Sequence, residues 1–253
     1  MSSLFKIFLS PINLLNIYMN ILIPAAGKGT RFKGFYDQPK NMIDVNGEPM
    51  LVAAARSLGL ESPDNQYIFL LPEDFHNDTH KELGARLIEE FPGCKVLVVV
   101  GHTDGAAQTA IQAVQYIEND EELLIANCDQ IMHWDPKLKD EVFEKLREHD
   151  AGIITIESDD PKHSYLDLLS GTVFEKEPQA GGMALTGLHY FKKGRDFLVA
   201  TRLMMQSGIK SRGEYYIGPV YNWFQGDAGF YQIMPKDISF IGTPKDLAEY
   251  LEK

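Results

Sequence analysis

The sequence predicts an α/β protein with a doubly wound, mostly parallel sheet, and three observations support this fold class. Short apolar runs bounded by turn residues recur along the chain, as is typical of buried parallel strands. Segments with helical periodicity separate these runs. After about residue 157 the pattern changes to an antiparallel pair followed by two helices. We therefore expect one α/β domain over residues 19–253 that includes a small antiparallel subregion.

Five apolar runs predict the strands and six periodic segments predict the helices. The predicted parallel strands are Ile21–Ile23, Tyr67–Leu71, Val96–Val100, Leu123–Ala126 and Ile153–Ile156. The predicted helices are Met50–Leu60, Asp78–Phe91, Gly105–Ile117, Pro136–Glu148, 195–207 and 244–252. Residues 172–191 predict the antiparallel pair. Ligands are expected at the carboxyl ends of the parallel strands, as in other open α/β sheets.

The first 18 residues do not fit this pattern. They are rich in leucine and phenylalanine, contain one lysine and lack the small-residue cleavage site of a signal peptide. Met19 directly precedes the first predicted strand. We interpret residues 1–18 as an extension that is not part of the fold.

Composition excludes several classes of partner. The 253 residues carry a net charge of -12, which argues against binding to nucleic acid or to an anionic membrane. No run of 18 or more apolar residues is present, so no transmembrane helix is expected. The only two cysteines, Cys94 and Cys128, do not form a disulfide framework, and a reducing cytoplasm is the expected compartment. A homo-oligomer remains possible.

A loop of small residues follows the first predicted strand. It consists of Ala25, Ala26, Gly27, Lys28 and Gly29, with Arg31 two residues later. Small residues let backbone N–H groups approach a phosphate chain closely, and a helix starting after the loop would direct its positive end there. The two cations add charge where a triphosphate would lie. The loop therefore predicts a nucleoside triphosphate site.

Two other phosphate-binding motifs fail at this loop. A dinucleotide fingerprint needs a third glycine where the chain has Phe32, and a Walker loop needs serine or threonine where the chain has Gly29. An ordinary glycine-rich turn remains an alternative from the loop alone.

Several segments, in order, resemble the sugar-phosphate nucleotidylyltransferases, which make nucleoside-diphosphate sugars from a triphosphate and a sugar 1-phosphate. The resemblance covers about residues 19–253, and no single segment decides it. The matching segments are 24–32, 38–50, 104–109, 127–130, 175–178, 186–191, 212–216 and 242–247. The resemblance implies a Rossmann-like nucleotidyltransferase fold whose antiparallel subregion binds the acceptor.

The expected activity is nucleotidyl transfer from an NTP to a phosphorylated small molecule, with release of pyrophosphate and with Mg²⁺ as cofactor. The acceptor is expected to be a sugar 1-phosphate used in capsule or surface glycan synthesis, because the chain resembles the compact capsule-type members. Some of those members use CTP and non-sugar acceptors such as phosphocholine, so a cytidylyltransferase is the main alternative.

Three residues are the candidate catalytic groups. Arg31 would hold the β- and γ-phosphates in a bidentate manner. Lys40 matches the lysine that the family places near the α-phosphate, although Asn41 follows it where the family usually has proline. Asp129 follows an apolar strand at its carboxyl end, and its carboxylate can coordinate Mg²⁺. Capping of the next turn is the alternative role for Asp129.

The remaining candidates bind the two substrates. Gly105 and Gln108 match family residues that contact the base, and helix capping around Gly105 is an equal alternative. On the acceptor side, the resemblance assigns the acceptor phosphate to Lys176 and sugar hydroxyls to Glu175. Residues that complete the acceptor site by the same resemblance are Thr186, Gly187 and Glu214.

One position departs from the family pattern. Many relatives have a second metal-binding aspartate two residues before the late Gly-Thr pair, and this chain has Phe240 there. A phenylalanine cannot bind a metal, so Asp129 is the only carboxylate expected in the metal site. A metal held by one aspartate and substrate phosphates is still chemically adequate.

Two other functional classes remain open from the sequence. A metal-dependent glycosyltransferase shares this nucleotide-binding architecture but normally carries Asp-x-Asp, whereas residues 127–129 read Asn-Cys-Asp. A non-catalytic nucleotide sensor would explain the lost carboxylate at Phe240. Replacement of Asp129 by asparagine would separate an enzyme, which loses turnover, from a sensor, which loses metal-linked affinity.

Overall fold

A nine-stranded, mostly parallel sheet forms the centre of the protein in a computed structural model that describes residues 19–73, 78–178 and 182–252. The extension predicted over residues 1–18 lies outside the described residues. The strands are β1 Met19–Pro24, β2 Asp44–Val45, β3 Glu48–Pro49, β4 Asn65–Pro72, β5 Lys95–Val99, β6 Glu122–Ala126, β7 Gln130–Met132, β8 Ala151–Ile156, β9 Tyr165–Leu166, β10 Val173–Phe174, β11 Met183–Phe191, β12 Ala228–Gln232 and β13 Ile238–Phe240. The helices are α1 Met50–Ser57, α2 Asp78–Glu90, α3 Ala106–Ala110, α4 Val114–Ile117, α5 Pro136–Leu146, α6 Gly194–Ser207 and α7 Pro244–Leu251.

The sheet confirms the predicted fold class. Strands β5, β4, β1 and β6 are neighbours in that order and all run parallel. Next to β6 lies β11, which is antiparallel, and beyond it lie β8 and β12. The strand predicted at Ile153–Ile156, β8, pairs in parallel with β12, but antiparallel β11 separates it from the parallel strands around β1.

Two apolar layers cover the two faces of the sheet, as expected for a doubly wound fold. Along β1, Ile21 and Ile23 pack into one layer while Leu22 packs into the other, which follows the period of two in a strand. The first layer includes residues of α1, α2 and α5. The second includes residues of α3 and α6. All three β1 residues are fully buried.

Local capping fixes two helix starts that the sequence predicted. Asp135 accepts a hydrogen bond from the backbone N–H of Leu138 at 2.8 Å, with Pro136 at the first helical position of α5. Thr243 accepts from the N–H of Asp246 at 3.1 Å at the start of α7, again followed by proline. The predicted helix 105–117 is less regular, because a 3₁₀ turn at Ile111–Ala113 separates α3 from α4.

The antiparallel subregion differs in detail from the prediction. The two strands of the predicted pair, β10 and β11, do not pair with each other, and both pair with β9, which the sequence did not reveal. Because β9 pairs with the first residues of β11, it lies beyond the carboxyl end of β6. This arrangement brings the subregion next to residues 127–129. None of the helices in the described ranges is long and apolar enough to cross a membrane.

Candidate active site

The glycine-rich loop leaves β1 and ends in a single 3₁₀ turn, Thr30–Phe32, rather than in the α-helix expected from the sequence. So short a turn has little macrodipole. Attraction for a phosphate would therefore come mainly from backbone N–H groups of the loop and from the cations Lys28 and Arg31. Gly29 precedes the turn with φ of 59°, and a Cβ there would lie 2.7 Å from the Cβ of Lys40. Glycine at this position therefore lets the lysine segment pack directly under the loop.

Asn41 ties the lysine segment to the loop. Its amide Nδ2 donates to the carbonyl of Ala25 at 2.8 Å, and the side chain is buried. Ala25 also donates its N–H to Leu70 at 2.8 Å, so this N–H is not available to a phosphate. The structure thus gives Ala25 a supporting position beneath the loop, and its contact with substrate stays a prediction. Asn41, which departs from the family's proline, has a defined local role.

Lys40 and Asp129 form an ion pair between the loop and the end of β6. The Nζ of Lys40 lies 2.6 Å from Oδ2 of Asp129, and both side chains are mostly buried. Burial acts against the charge on Lys40, but Cys128 and Asp129 outweigh it and raise the pKa of Lys40 above its ordinary value. Burial also acts against the charge on Asp129, yet Lys40 and then Arg31 hold the pKa of Asp129 below its ordinary value. Both groups are charged at neutral pH.

Arg31 and the late Gly-Thr segment converge on the same carboxylate. A guanidinium nitrogen of Arg31 donates to the carbonyl of Gly242 at 3.3 Å. A Cβ on Gly242 would lie 2.8 Å from Oδ2 of Asp129, so only glycine allows this approach. The N–H of Ile241 also donates to the backbone carbonyl of Asp129 at 2.9 Å. Two of the three predicted catalytic side chains, Arg31 and Asp129, thus approach the same glycine.

Three adjoining cavities open around the Lys40–Asp129 pair. The glycine-loop cleft has a volume of about 1080 Å³, the central cavity about 300 Å³ and the Glu175 cavity about 470 Å³. Lys40 lines both the cleft and the central cavity, and Asp129 lines both the central cavity and the Glu175 cavity. A phosphate chain extending from the cleft would therefore reach the Glu175 cavity through this ion pair.

The wall of the glycine-loop cleft combines glycines and other small residues with charged and aromatic side chains. It includes four of the five predicted loop residues, namely Ala26, Gly27, Lys28 and Gly29. On the opposite side lies Gly105, with φ of 105°, where a Cβ would be 2.6 Å from the carbonyl oxygen of Tyr215. Gln108 is not in this wall, because its side-chain oxygen accepts from the N–H of Asp104. Its contact with a base stays a prediction.

Charged and aromatic side chains form the Glu175 cavity. Glu175 is almost fully buried and accepts a hydrogen bond from the hydroxyl of Ser164, and burial raises its pKa. The Nζ of Lys176 donates to the Tyr216 hydroxyl at 2.9 Å and lies 4.5 Å from the centre of that ring. The same ammonium is 3.9 Å from Oε1 of Glu175. The structure therefore brings the two predicted acceptor residues together.

The other three predicted acceptor residues have different surroundings. Thr186 lines the Glu175 cavity, but its hydroxyl donates to the carbonyl of Ile154 at 2.9 Å and so holds the sheet together. Gly187, with φ of 88°, lies against the amide of Asn127, where any side chain would clash. Glu214 lies in the walls of the glycine-loop cleft and the central cavity rather than in that of the Glu175 cavity.

Residues 21–197, well over half of the chain, match the family described as the MobA-like NTP transferase domain. The chain belongs to this family. It is therefore a nucleotidyltransferase, in agreement with the resemblance seen in the sequence. The Lys40–Asp129 pair and its three cavities are the candidate active site of this transferase.

Solved structures of other proteins have the same fold. The nucleoside-diphosphate-sugar pyrophosphorylase from Vibrio cholerae RC9 is 21% identical, with a TM-score of 0.78 over 92% of this chain and 100% of that chain. The inositol-1-phosphate CTP transferase from T. maritima is 13% identical, with a TM-score of 0.68 over 94% and 96%. HddC from Yersinia pseudotuberculosis, complexed with GMP-PN, is 20% identical, with a TM-score of 0.61 over 93% and 98%. At these identities the similarity shows the fold.

The donor set at Asp129 fits a divalent cation only in part. Hard cations such as Mg²⁺ take oxygen ligands, and Asp129 supplies a carboxylate at the mouth of the central cavity. Phe240 occupies the position of the second family carboxylate, and its ring packs 4.6 Å from the ring of His163. Across the described residues, no group of three or more histidine, cysteine or acidic side chains could hold a metal. Phosphate oxygens would therefore have to complete the metal's coordination.

Sequence reasoning missed several residues in the wall of the Glu175 cavity. They are Lys162, His163, Ser164 and His189. Three of them lie in one polar run after β8, at the carboxyl end of a buried strand, where ligands are expected in such folds. Their position after a buried strand could have identified these three residues as site candidates. His189 gave no signal, because it lies within an apolar strand, β11, and only the fold shows that its ring faces a cavity.

Proposed function

We propose that this transferase moves a nucleotidyl group from an NTP to the phosphate of a small acceptor, most simply a sugar 1-phosphate. The observation that carries the proposal is the meeting of the glycine-loop cleft and the Glu175 cavity at Lys40 and Asp129. Nucleotidyl transfer joins two phosphates at one point, so it needs two binding sites that share a charged centre. Mg²⁺ is the proposed metal, with Asp129 as its protein ligand.

The chain's own residues neutralise and align the two phosphates. An oxygen of the acceptor phosphate forms the new bond to the α-phosphorus, the bond to the β-phosphate bridge breaks, and pyrophosphate leaves. Arg31 and Lys28, which line the central cavity, would bind the leaving phosphates, and Lys40 would bind the α-phosphate. Lys176 would receive the acceptor phosphate. Mg²⁺ would add positive charge at the reacting phosphates.

The Glu175 cavity supports a polyhydroxylated acceptor. Glu175 is a buried carboxylate beside the hydroxyl of Ser164 and the ammonium of Lys176, and such a group gains most from hydroxyl donors on a ligand. Two proteins with this fold are named for a nucleoside-diphosphate sugar and for inositol 1-phosphate, which are both polyhydroxylated. A role of the product in surface glycan synthesis stays a prediction.

A cytidylyltransferase acting on a non-sugar phosphate such as phosphocholine is the second candidate. Its support is the fold shared with the T. maritima protein, whose name specifies CTP as a substrate. A glycosyltransferase has less support, because the chain belongs to an NTP transferase family and lacks the first acid of Asp-x-Asp.

Thermal unfolding with ATP, CTP, GTP, UTP and dTTP, each with Mg²⁺, tests the nucleotide half of the proposal. A ligand at about 100 times its dissociation constant adds about 2.7 kcal/mol to the free energy of unfolding. We expect one triphosphate to stabilise selectively. Pyrophosphate release is then measured with that nucleotide and a panel of sugar 1-phosphates, inositol 1-phosphate and phosphocholine. Stabilisation by a nucleoside-diphosphate sugar but by no triphosphate would contradict the proposal.

A further inference from the structure

The carboxylate expected to bind the metal, Asp129, is already paired with an ammonium in the free protein. Oδ2 of Asp129 accepts from the ammonium of Lys40 at 2.6 Å. The late Gly-Thr segment brings Phe240, not a second carboxylate, to the same edge. Within the described ranges, no group of three or more histidine, cysteine or acidic side chains could hold a metal. The free protein therefore presents an ion pair without net charge where a metal site with two aspartates would present net negative charge.

We infer that Lys40 controls access of divalent cations to Asp129. In the free protein its ammonium forms an ion pair with the carboxylate of Asp129 and so excludes the metal. When a triphosphate binds, its oxygens draw the ammonium towards the α-phosphate, and Asp129 becomes a metal ligand together with those oxygens. Metal binding at this site is thus conditional on the nucleotide. This inference rests on the proposed function for the identity of the nucleotide, but the exclusion of metal from the free protein does not.

Electrostatics favours exclusion by the ammonium in the free protein. A divalent cation coordinated to Asp129 would lie within a few ångströms of Nζ of Lys40, and their repulsion is strong at that range in a mostly buried site. Arg31 adds a second positive charge next to the same carboxylate. One carboxylate is also a weak site for Mg²⁺, which normally binds through carboxylates together with substrate phosphates. Without phosphates, the Lys40–Asp129 ion pair is therefore more favourable than the binding of a metal to Asp129.

The surroundings of Lys40 allow the ammonium to move while its backbone stays fixed. Asn41 anchors the turn to Ala25, and Gly29 packs against the Cβ of Lys40. Beyond Cβ, the side chain lines both the glycine-loop cleft and the central cavity. Rotation of the side chain alone therefore carries the charge from Asp129 to a phosphate in the cleft, without a change in the fold.

Binding of Mn²⁺ to the free protein, measured by electron paramagnetic resonance without nucleotide, tests the inference. Lys40→Met removes the charge and keeps most of the side-chain volume. We expect Lys40→Met to bind one Mn²⁺ at least about tenfold more tightly than the unmodified protein. The gain should vanish in Lys40→Met/Asp129→Asn, because it depends on the freed carboxylate. Lys245→Met, at an exposed lysine paired with Glu249, is the matched control and should change nothing.

Asp129→Asn alone keeps the test decisive even if Lys40→Met fails to fold. The inference predicts that Asp129→Asn leaves the Mn²⁺ affinity of the free protein unchanged. A Mn²⁺ site in the unmodified free protein that disappears in Asp129→Asn would overturn the inference, as would a gain in Lys40→Met that persists in the double variant. Neither result depends on a nucleotide. Failure of the proposed function would appear separately, as the absence of stabilisation by any triphosphate.

Discussion

The glycine-loop cleft and the Glu175 cavity meet at one ion pair but are built from different parts of the chain. The cleft follows parallel strands, and glycines such as Gly27, Gly29 and Gly105 contribute backbone to its wall. The Glu175 cavity lies in the antiparallel subregion, and charged or aromatic side chains such as Glu175, Lys176 and Tyr216 form much of its wall. Backbone contacts bind any phosphate chain, whereas buried side chains select among ligands.

This difference teaches where specificity resides. A single side-chain substitution in the Glu175 cavity should change the acceptor affinity and leave the nucleotide affinity alone. In the cleft, backbone geometry should matter more than side-chain chemistry. The Lys40–Asp129 pair adjoins both the glycine-loop cleft and the Glu175 cavity. A substitution in this pair should therefore slow the reaction most. The four variants below run from the largest expected effect to the smallest.

Asp129→Asn removes the shared charge at the junction. We expect kcat to fall by at least about 10²–10³-fold, the usual cost of losing a preorganised charge at the reacting centre. Steady-state pyrophosphate release measures this change. Asp227→Asn, at an exposed aspartate that pairs with His149, is the matched control and should retain activity. A kcat within a few-fold of that of the unmodified enzyme would show that the two phosphates do not react at Asp129.

Gly105→Ala tests whether backbone geometry shapes the cleft. The new Cβ would lie 2.6 Å from the carbonyl oxygen of Tyr215, so the two segments must separate. Gly101→Ala is the matched control, because Gly101 also has positive φ (76°) but has open space around its Cβ position. We expect Gly105→Ala to be less stable than the control by about 1–3 kcal/mol in denaturant unfolding, with a raised KM for the nucleotide. Equal stability of the two variants would show that the close approach is unimportant.

Glu175→Gln should separate the two sides of the site. It removes the buried charge that would receive acceptor hydroxyls, so the KM for the acceptor should rise about tenfold, while the KM for the nucleotide should stay within about twofold. Glu144→Gln on the exposed face of α5 is the control. An equal rise in both KM values would show that Glu175 supports the whole site and not the acceptor alone.

The same variant has a pH signature in stability. Burial raises the pKa of Glu175 above its ordinary 4.5, so the folded state holds this proton more tightly than the unfolded state does. The unmodified protein should therefore lose stability from this group as pH rises from about 4.5 through the folded pKa. Glu175→Gln lacks this loss, so its stability relative to the unmodified protein should increase over that range and then level off. Denaturant unfolding across the range measures the difference, and a difference that decreases with pH would be the opposite of this expectation.

Asn41→Asp should have the smallest effect. The substitution preserves shape but places a carboxylate oxygen where Nδ2 donates to Ala25, so the lysine segment loses its tie to the loop. We expect the KM for the nucleotide to rise about threefold to tenfold, with the KM for the acceptor unchanged. Asn46→Asp, in the exposed β2–β3 turn, is the control. A selective effect on the acceptor would contradict the division of the site into two sides.

Local patterns predicted the parallel half of the fold well. The apolar run Ile21–Ile23 and the loop after it are contiguous in sequence, so a buried strand followed by a loop of small residues could be inferred before the fold was known. The segments carrying Lys40 and Asp129 also fell at loop and strand ends, as the structure shows. Here short-range pattern and long-range structure agree, because parallel strands of such a sheet present their carboxyl ends at one edge.

The acceptor half was harder to predict, because its structure depends on long-range pairing. Strand β9 has only two residues and no periodicity of its own, and it exists because β11 and β10 pair with it on either side. The ion pair between Lys40 and Asp129 joins residues 89 positions apart. Buried positions of Ala25 and Thr186 also follow from packing and not from residue type. Sequence patterns carry no information on such contacts.

Phosphorus-31 NMR of the protein with the stabilising triphosphate, Mg²⁺ and a sugar 1-phosphate tests the central claim most directly. The account predicts equal growth of pyrophosphate and of a new diphosphate ester, as both substrates disappear together. It also predicts that Asp129→Asn abolishes both signals. Release of inorganic phosphate alone, or pyrophosphate formation that needs no acceptor, would contradict a site in which two cavities deliver two phosphates to one ion pair.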